Sequence, residues 1–87
     1  MTQQLTGRIE YIKEPEQIND KMIKQLLVIQ TAGNYPQTVA FEIINKPDML
    51  NNYAVGQTVT VFFDIRGRQW QDRYFNTLNA WKVELAN

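Results

Sequence analysis

The C-terminal third of the chain constrains the fold most. Thr58 to Arg66 alternates, with Val59, Val61, Phe63 and Ile65 on one side and Thr58, Thr60, Phe62 and Asp64 on the other. Residues two apart share a face in an extended strand. A second β-rich run follows from Arg73 to Leu85, with Leu78, Trp81, Val83 and Leu85 as core candidates. Gly67 and the Gln-rich stretch around Trp70 separate the two runs, so the pair reads as one long β-hairpin. Leu78 and Trp81 differ in parity, which predicts a bulge near Asn79-Ala80.

Upstream segments supply three more strands. Leu5 to Ile12 is the first, and Gly7 inside it reads as a bulge or sharp bend. Lys13 to Lys21 is charged and contains Pro15, so it reads as a loop or the tip of a long hairpin. Met22 to Thr31 is the second strand, with the apolar run Leu26 to Ile29 suggesting either cover on both faces or strong coiling. Ala32 to Pro36 is a turn. Gln37 to Ile44 is the third strand, its Val39, Phe41 and Ile43 facing the core. Asn45 to Tyr53 predicts the one helix: Asn45 can cap it, Pro47 suits its first turn, and Asp48 complements its dipole. Met49, Leu50 and Tyr53 give that segment a small apolar face. It is too short to stand alone and must plug something.

Composition excludes several function classes. The 87 residues form one domain, spanning 1–87, near the small end of what folds alone. There is no cysteine, no histidine and no serine. Ser-His-Asp and Cys-His nucleophile systems are therefore absent, as are disulfides and thiolate or imidazole metal sites. The acids are scattered, and no glycine motif cradles phosphate. The expectation is a protein that is not an enzyme and carries no cofactor. Met1-Thr2-Gln3-Gln4 has neither a basic n-region nor an apolar h-region, and no run is long enough to cross a bilayer. The expected location is cytoplasmic, without membrane contact.

Five short strands with a plugging helix between strands 3 and 4 fit an all-β, five-stranded OB-fold Greek-key barrel. A flat five-stranded sheet would expose an apolar face in so short a chain. An SH3-like barrel is the competing reading, but it rarely places a helix before its fourth strand.

Net charge is zero, but its distribution is uneven. Residues 1–64 hold five cations against seven acids, a net of −2, and residues 65–87 hold four cations against two acids, a net of +2. The hairpin tip carries Trp70, Tyr74, Arg66, Arg68 and Arg73 with Asp72 among them. Planar rings beside guanidinium groups suit stacked bases and a phosphate backbone. Phe75 reads as core, and Tyr74 as the ring that faces out. Lys24 on the second strand would extend the same surface if it points outward. Tyr35 either stacks on a base or covers the barrel mouth. Phe62, exposed on a strand, hints at a subunit interface.

Three segments carry a family resemblance: Tyr53-Ala54-Val55-Gly56-Gln57-Thr58-Val59, then Ile65-Arg66-Gly67-Arg68-Gln69-Trp70, then Asp72-Arg73-Tyr74 with Thr77. Together they resemble the helix-to-fifth-strand region of bacterial single-stranded DNA-binding proteins. Leu5-Thr6-Gly7-Arg8-Ile9 is similar to that family's first strand, and Ala80-Trp81-Lys82-Val83 resembles short OB-fold relatives. The third strand departs, opening Tyr35-Pro36-Gln37-Thr38 where the family carries a Trp. The resemblance implies an OB-fold that binds single-stranded DNA, or RNA. Sequence preference should be low, because any base offers a π-face, and a lone small barrel with a short binding track and an exposed Phe62 predicts a homo-oligomer (dimer or tetramer). The resemblance also implies stacking by Trp70 and Tyr74 and phosphate contacts by Arg66, Arg68, Arg73 and Lys24. The other functional reading is an OB-fold that binds protein, as an adaptor or oligomeric scaffold, which the neutral charge favours.

Overall fold

The computed structural model describes residues 3–86. Met1 and Thr2, which entered the reading of the N-terminus, lie outside these, as does Asn87. Six strands form one sheet: β1 Gln3–Ile12, β2 Glu16–Asn19, β3 Met22–Gln30, β4 Thr38–Ile44, β5 Thr58–Trp70 and β6 Arg73–Leu85. The strand order is β1-β5-β6-β4-β3-β2, and an added β1–β3 pairing returns the ladder to its start. β1 achieves this by changing partner along its length. Gln3 to Arg8 pair with β5, and Arg8 to Ile12 pair with β3. The pairings are antiparallel except β4–β6, which is parallel and rests on one pair, Glu42↔Asn79.

Alternation explains which residues fill the interior. Ile9, Leu27, Ile29, Phe41, Ile43, Val59, Val61, Phe63, Ala80 and Val83 are buried together with Leu50. The Phe41 and Phe63 rings meet at 5.0 Å between centroids, tilted by 58°, a geometry aromatic pairs favour. β3 turns only Gln25, Leu27 and Ile29 fully inward, leaving Leu26 and Val28 half-exposed. Its apolar run is therefore one core face and one partly open face, not a strand covered on both sides.

Several expectations are corrected here. The loop between the first two expected strands contains β2, which hairpins onto β3, so the strands among the described residues number six and not five. The expected helix is absent. Its place is taken by successive tight turns, with Met49 N–H bonded to Lys46 O at 3.1 Å, Asn51 N–H to Asp48 O at 3.2 Å and Tyr53 N–H to Leu50 O at 3.1 Å. These span three residues, where an α-helix needs four. The plugging role survives without the helix: Leu50 is buried, and Tyr53 donates its hydroxyl to Val83 O at 2.9 Å. Asn45 caps no helix. It sits at φ 58° and carries the β4–β3 pairing one residue further, its Oδ1 accepting from Ile23 N–H at 2.8 Å and its own N–H donating to Ile23 O at 2.7 Å.

Gly7 is not a bulge. It pairs regularly with Val59 at the point where β1 passes closest to the end of β3. A Cβ there would lie 2.6 Å from Gln30 O, a backbone atom. The irregularity in β1 falls two residues later, between Ile9 and Tyr11. In β6 the bulge lies one residue beyond its expected place. Lys82 pairs with Phe62 and Ala80 with Phe63, which leaves Trp81 as the extra residue.

Candidate nucleic-acid interface

In β6, Asn79 still pairs with Glu42 of β4 and Leu78 packs partly against the core; past these, and past Phe63 in β5, the two strands continue as a ribbon. Seven further residues carry β5 to its tip at Trp70, about 23 Å at strand rise. The strand runs through Gly67, where a turn or bend was expected to begin, and reverses over the two residues Gln71 and Asp72. Gln71 adopts φ 56° there, as tight hairpin turns require. Ile65, on the same side of the strand as the buried Val59, Val61 and Phe63, stands on this ribbon and is exposed.

Directly opposed residues share a face of the ladder. The pairs Arg66↔Thr77, Arg68↔Phe75 and Trp70↔Arg73 therefore align Arg66, Arg68, Arg73, Trp70 and Phe75 on one side. Trp70 is 60% exposed and Phe75 42%, and the Arg68 guanidinium lies 5.7 Å from the Phe75 ring centroid. The three arginines thus share a face, as the alternation predicts. Tyr74 does not join them. It pairs with Gln69, which puts it on the reverse of the ribbon, and it is exposed there. Phe75, expected in the core, occupies the place proposed for Tyr74.

This face continues into an open groove of about 840 Å³. One wall is the ribbon, with Arg66, Arg68 and Phe75; the other is the β2–β3 hairpin, with Ile18, Met22 and Lys24. Glu42, Ile44 and Lys46 lie between, and Trp81 closes one end. Among the described residues the lining carries four cations against one carboxylate. Lys24 points into the groove as expected, but it is paired: its Nζ lies 3.1 Å from Glu42 Oε2. The Lys46 ammonium donates to Trp81 O at 3.2 Å. That carbonyl belongs to the bulge residue, which the β5–β6 register skips.

Trp81, expected in the core, is 39% exposed. Its ring meets Phe62 at 5.8 Å between centroids, and the Lys82 ammonium lies 5.4 Å from the same Phe62 ring. Phe62 is therefore half-covered by its own chain, and no longer marks an exposed subunit contact. Leu85, also expected inside, is exposed. Tyr35 is 86% exposed on the β3–β4 turn and covers nothing. Six residues of β3 separate Lys24 from the end beside that turn, about 20 Å, so Tyr35 stands apart from the groove. Sequence reasoning missed Phe75, Trp81 and Lys46 as groove residues. The parity conflict at Leu78 and Trp81 was the available signal for the second of these.

Comparison with known structures gives this architecture a class. The chain is similar to the mitochondrial single-stranded DNA binding protein Rim1 of S. cerevisiae, at TM-score 0.79 and 16% identity, covering 98% of this chain and 94% of that one. It is similar to the dimeric N-terminal domain of PriB from Thermoanaerobacter tencongensis, at TM-score 0.71 and 14% identity, covering 99% and 96%. A small single-stranded DNA-binding protein from Streptomyces coelicolor matches at TM-score 0.55 and 13% identity, covering 99% and 94%. These likenesses show the fold, an OB-fold. Within it, the chain belongs to the family described as a domain of unknown function, DUF3127, whose model matches residues 4–84. No curated protein sequence matches it.

Among the described residues no helix is long and apolar enough to cross a membrane.

Proposed function

We propose that this chain is a single-domain, non-catalytic OB-fold module that binds single-stranded DNA with low sequence preference. The observation that carries the reading is the shared ladder face of Arg66, Arg68, Trp70, Arg73 and Phe75, opening into a groove with four cations. Guanidinium and ammonium groups neutralise phosphates, while Trp70 and Phe75 stack on bases, each worth about 1–3 kcal/mol. Any base offers a π-face, so discrimination is weak. A duplex keeps its bases stacked on one another and offers such rings nothing. The fold shared with single-stranded DNA-binding proteins supports the same assignment. Lys24 contributes once Glu42 releases it. Tyr74 and Tyr35 stand outside the shared face and take no part in this scheme.

The fold itself reads as a small closed barrel, since the ladder returns to β1. Residues 3–7 of β1 pair with β5 on one edge only. A second copy pairing along the other edge would give a homo-oligomer, which sedimentation equilibrium measures.

The test is a titration of a dye-labelled poly-thymidine oligomer followed by anisotropy. Binding at micromolar concentration or tighter is expected at low salt, falling as salt rises. The double variant Arg66→Ala, Arg68→Ala weakens it and flattens the salt dependence by about 1.4 in log–log slope. An oligo-uridine arm compares RNA with DNA. No binding at micromolar concentration and low salt would overturn the assignment and favour a protein-binding scaffold.

A further inference from the structure

The bulge in β6 has one local effect. Ala80 and Val83 are buried, so Trp81 and Lys82 between them are two successive residues turned outward. Bulges commonly re-aim a side chain beside a functional surface. Here the re-aimed side chain is an indole, and it lines the same groove as Arg66, Arg68 and Phe75. We infer that Trp81 is a second base-stacking residue, at the far end of the groove from Trp70, with the Lys46 ammonium as its neighbouring phosphate contact. This rests on the single-strand reading above.

Three features of the site support it. The ring is braced on one side by Phe62, itself flanked by Lys82, so little side-chain freedom is lost when a base settles on it. The β5–β6 register skips Trp81, and Lys46 Nζ donates to its carbonyl at 3.2 Å. A cation is thereby held beside an exposed indole, the pairing that single-strand tracks use. The two indoles also differ in support. Trp70 rides the tip of a projecting ribbon, whereas Trp81 is fixed to the body where β5 and β6 still cover the core. A strand seated on both spans the length of the ribbon face, about 23 Å.

The chain has two tryptophans, so Trp70→Phe leaves Trp81 as the sole indole. That variant is titrated with a thymidine oligomer of about a dozen nucleotides, with Trp emission and the anisotropy of a dye on the oligomer read in parallel. Saturable quenching of Trp81 that tracks the anisotropy is expected. In the otherwise natural chain, Trp81→Ala is expected to weaken binding by about five- to a hundred-fold, its fold checked by circular dichroism. Lys46→Gln should flatten the salt dependence by about 0.7 in log–log slope. An oligomer that binds while Trp81 emission stays constant, or a folded Trp81→Ala chain of natural affinity, overturns the inference alone. If the natural chain leaves the anisotropy unchanged, the single-strand reading falls and takes this inference with it. Should either variant not fold, the other decides.

Discussion

At the scale of single residues, two positions show how a local constraint carries a larger one. Gly7 lets β1 leave β5 and join β3, because no Cβ stands between it and Gln30 O. Gly7→Ala puts a methyl 2.6 Å from that backbone oxygen, so strands must shift. A loss of about 1–3 kcal/mol is expected, read as a fall in melting temperature of about 4–8 °C per kcal/mol. Glu42 is the second position. Its pair with Lys24 is half-exposed, and such pairs contribute about 0–1 kcal/mol to stability. Its effect on an anionic guest is larger, since it holds a negative charge in the groove and occupies Lys24. Glu42→Gln should leave the melting temperature within a few degrees of its natural value. Affinity for a thymidine oligomer should rise several-fold at low salt, with the log–log salt slope steeper by about 0.7. Unchanged affinity would show that strands do not pass Glu42.

At the scale of elements, the ribbon divides into a supported and an unsupported part. As far as Phe63 in β5 and Leu78 in β6 one face packs on the core; beyond Phe63 nearly every β5 residue is exposed on both faces. Isolated two-stranded hairpins are marginal in water. Hydrogen exchange of the ribbon amides beyond Ile65 should therefore be faster than in β3 and β4, and a bound oligomer should slow it. Equal protection in the free protein would contradict the picture of a projecting ribbon.

The same elements show what alternation can and cannot reveal. β1, β3, β4, β5 and β6 were legible because each sets one face in the interior. β2 was not, since all four of its residues are exposed and no pattern marks it. Capping, proline and apolar residues pointed to a helix at Asn45 to Tyr53, and the apolar residues do plug the fold. Those signals carry no information on whether four-residue hydrogen bonds form in so short a stretch. The site was legible in its residue types and less so in its facing. Which of Tyr74 and Phe75 joins the arginines depends on a two-residue turn at Gln71-Asp72, whereas the sequence suggested a longer turn or bend from Gly67 through the Gln-rich tip. Trp81 was misassigned by a bulge displaced by one residue, enough to exchange inside for outside.

For the whole molecule, charge placement matters more than charge total. The chain is neutral, yet the groove gathers four cations against one carboxylate among the described residues. If all four neutralise phosphates, together with Arg73 beyond the groove, the slope of log K against log salt is about −3.5 for a single strand. A slope near zero would mean that the cations do not meet the strand.

The ring of strands is sewn unevenly. Where β4 meets β6 there is a single stitch, Glu42↔Asn79, and that line forms the floor between the two walls of the groove. A polynucleotide lying across both walls would act as a suture over the thinnest part of the sheet. Occupancy should then slow solvent exchange in β4 and in the middle of β6, at amides the guest never touches. The molecule would close itself around its cargo by mending its own weakest join.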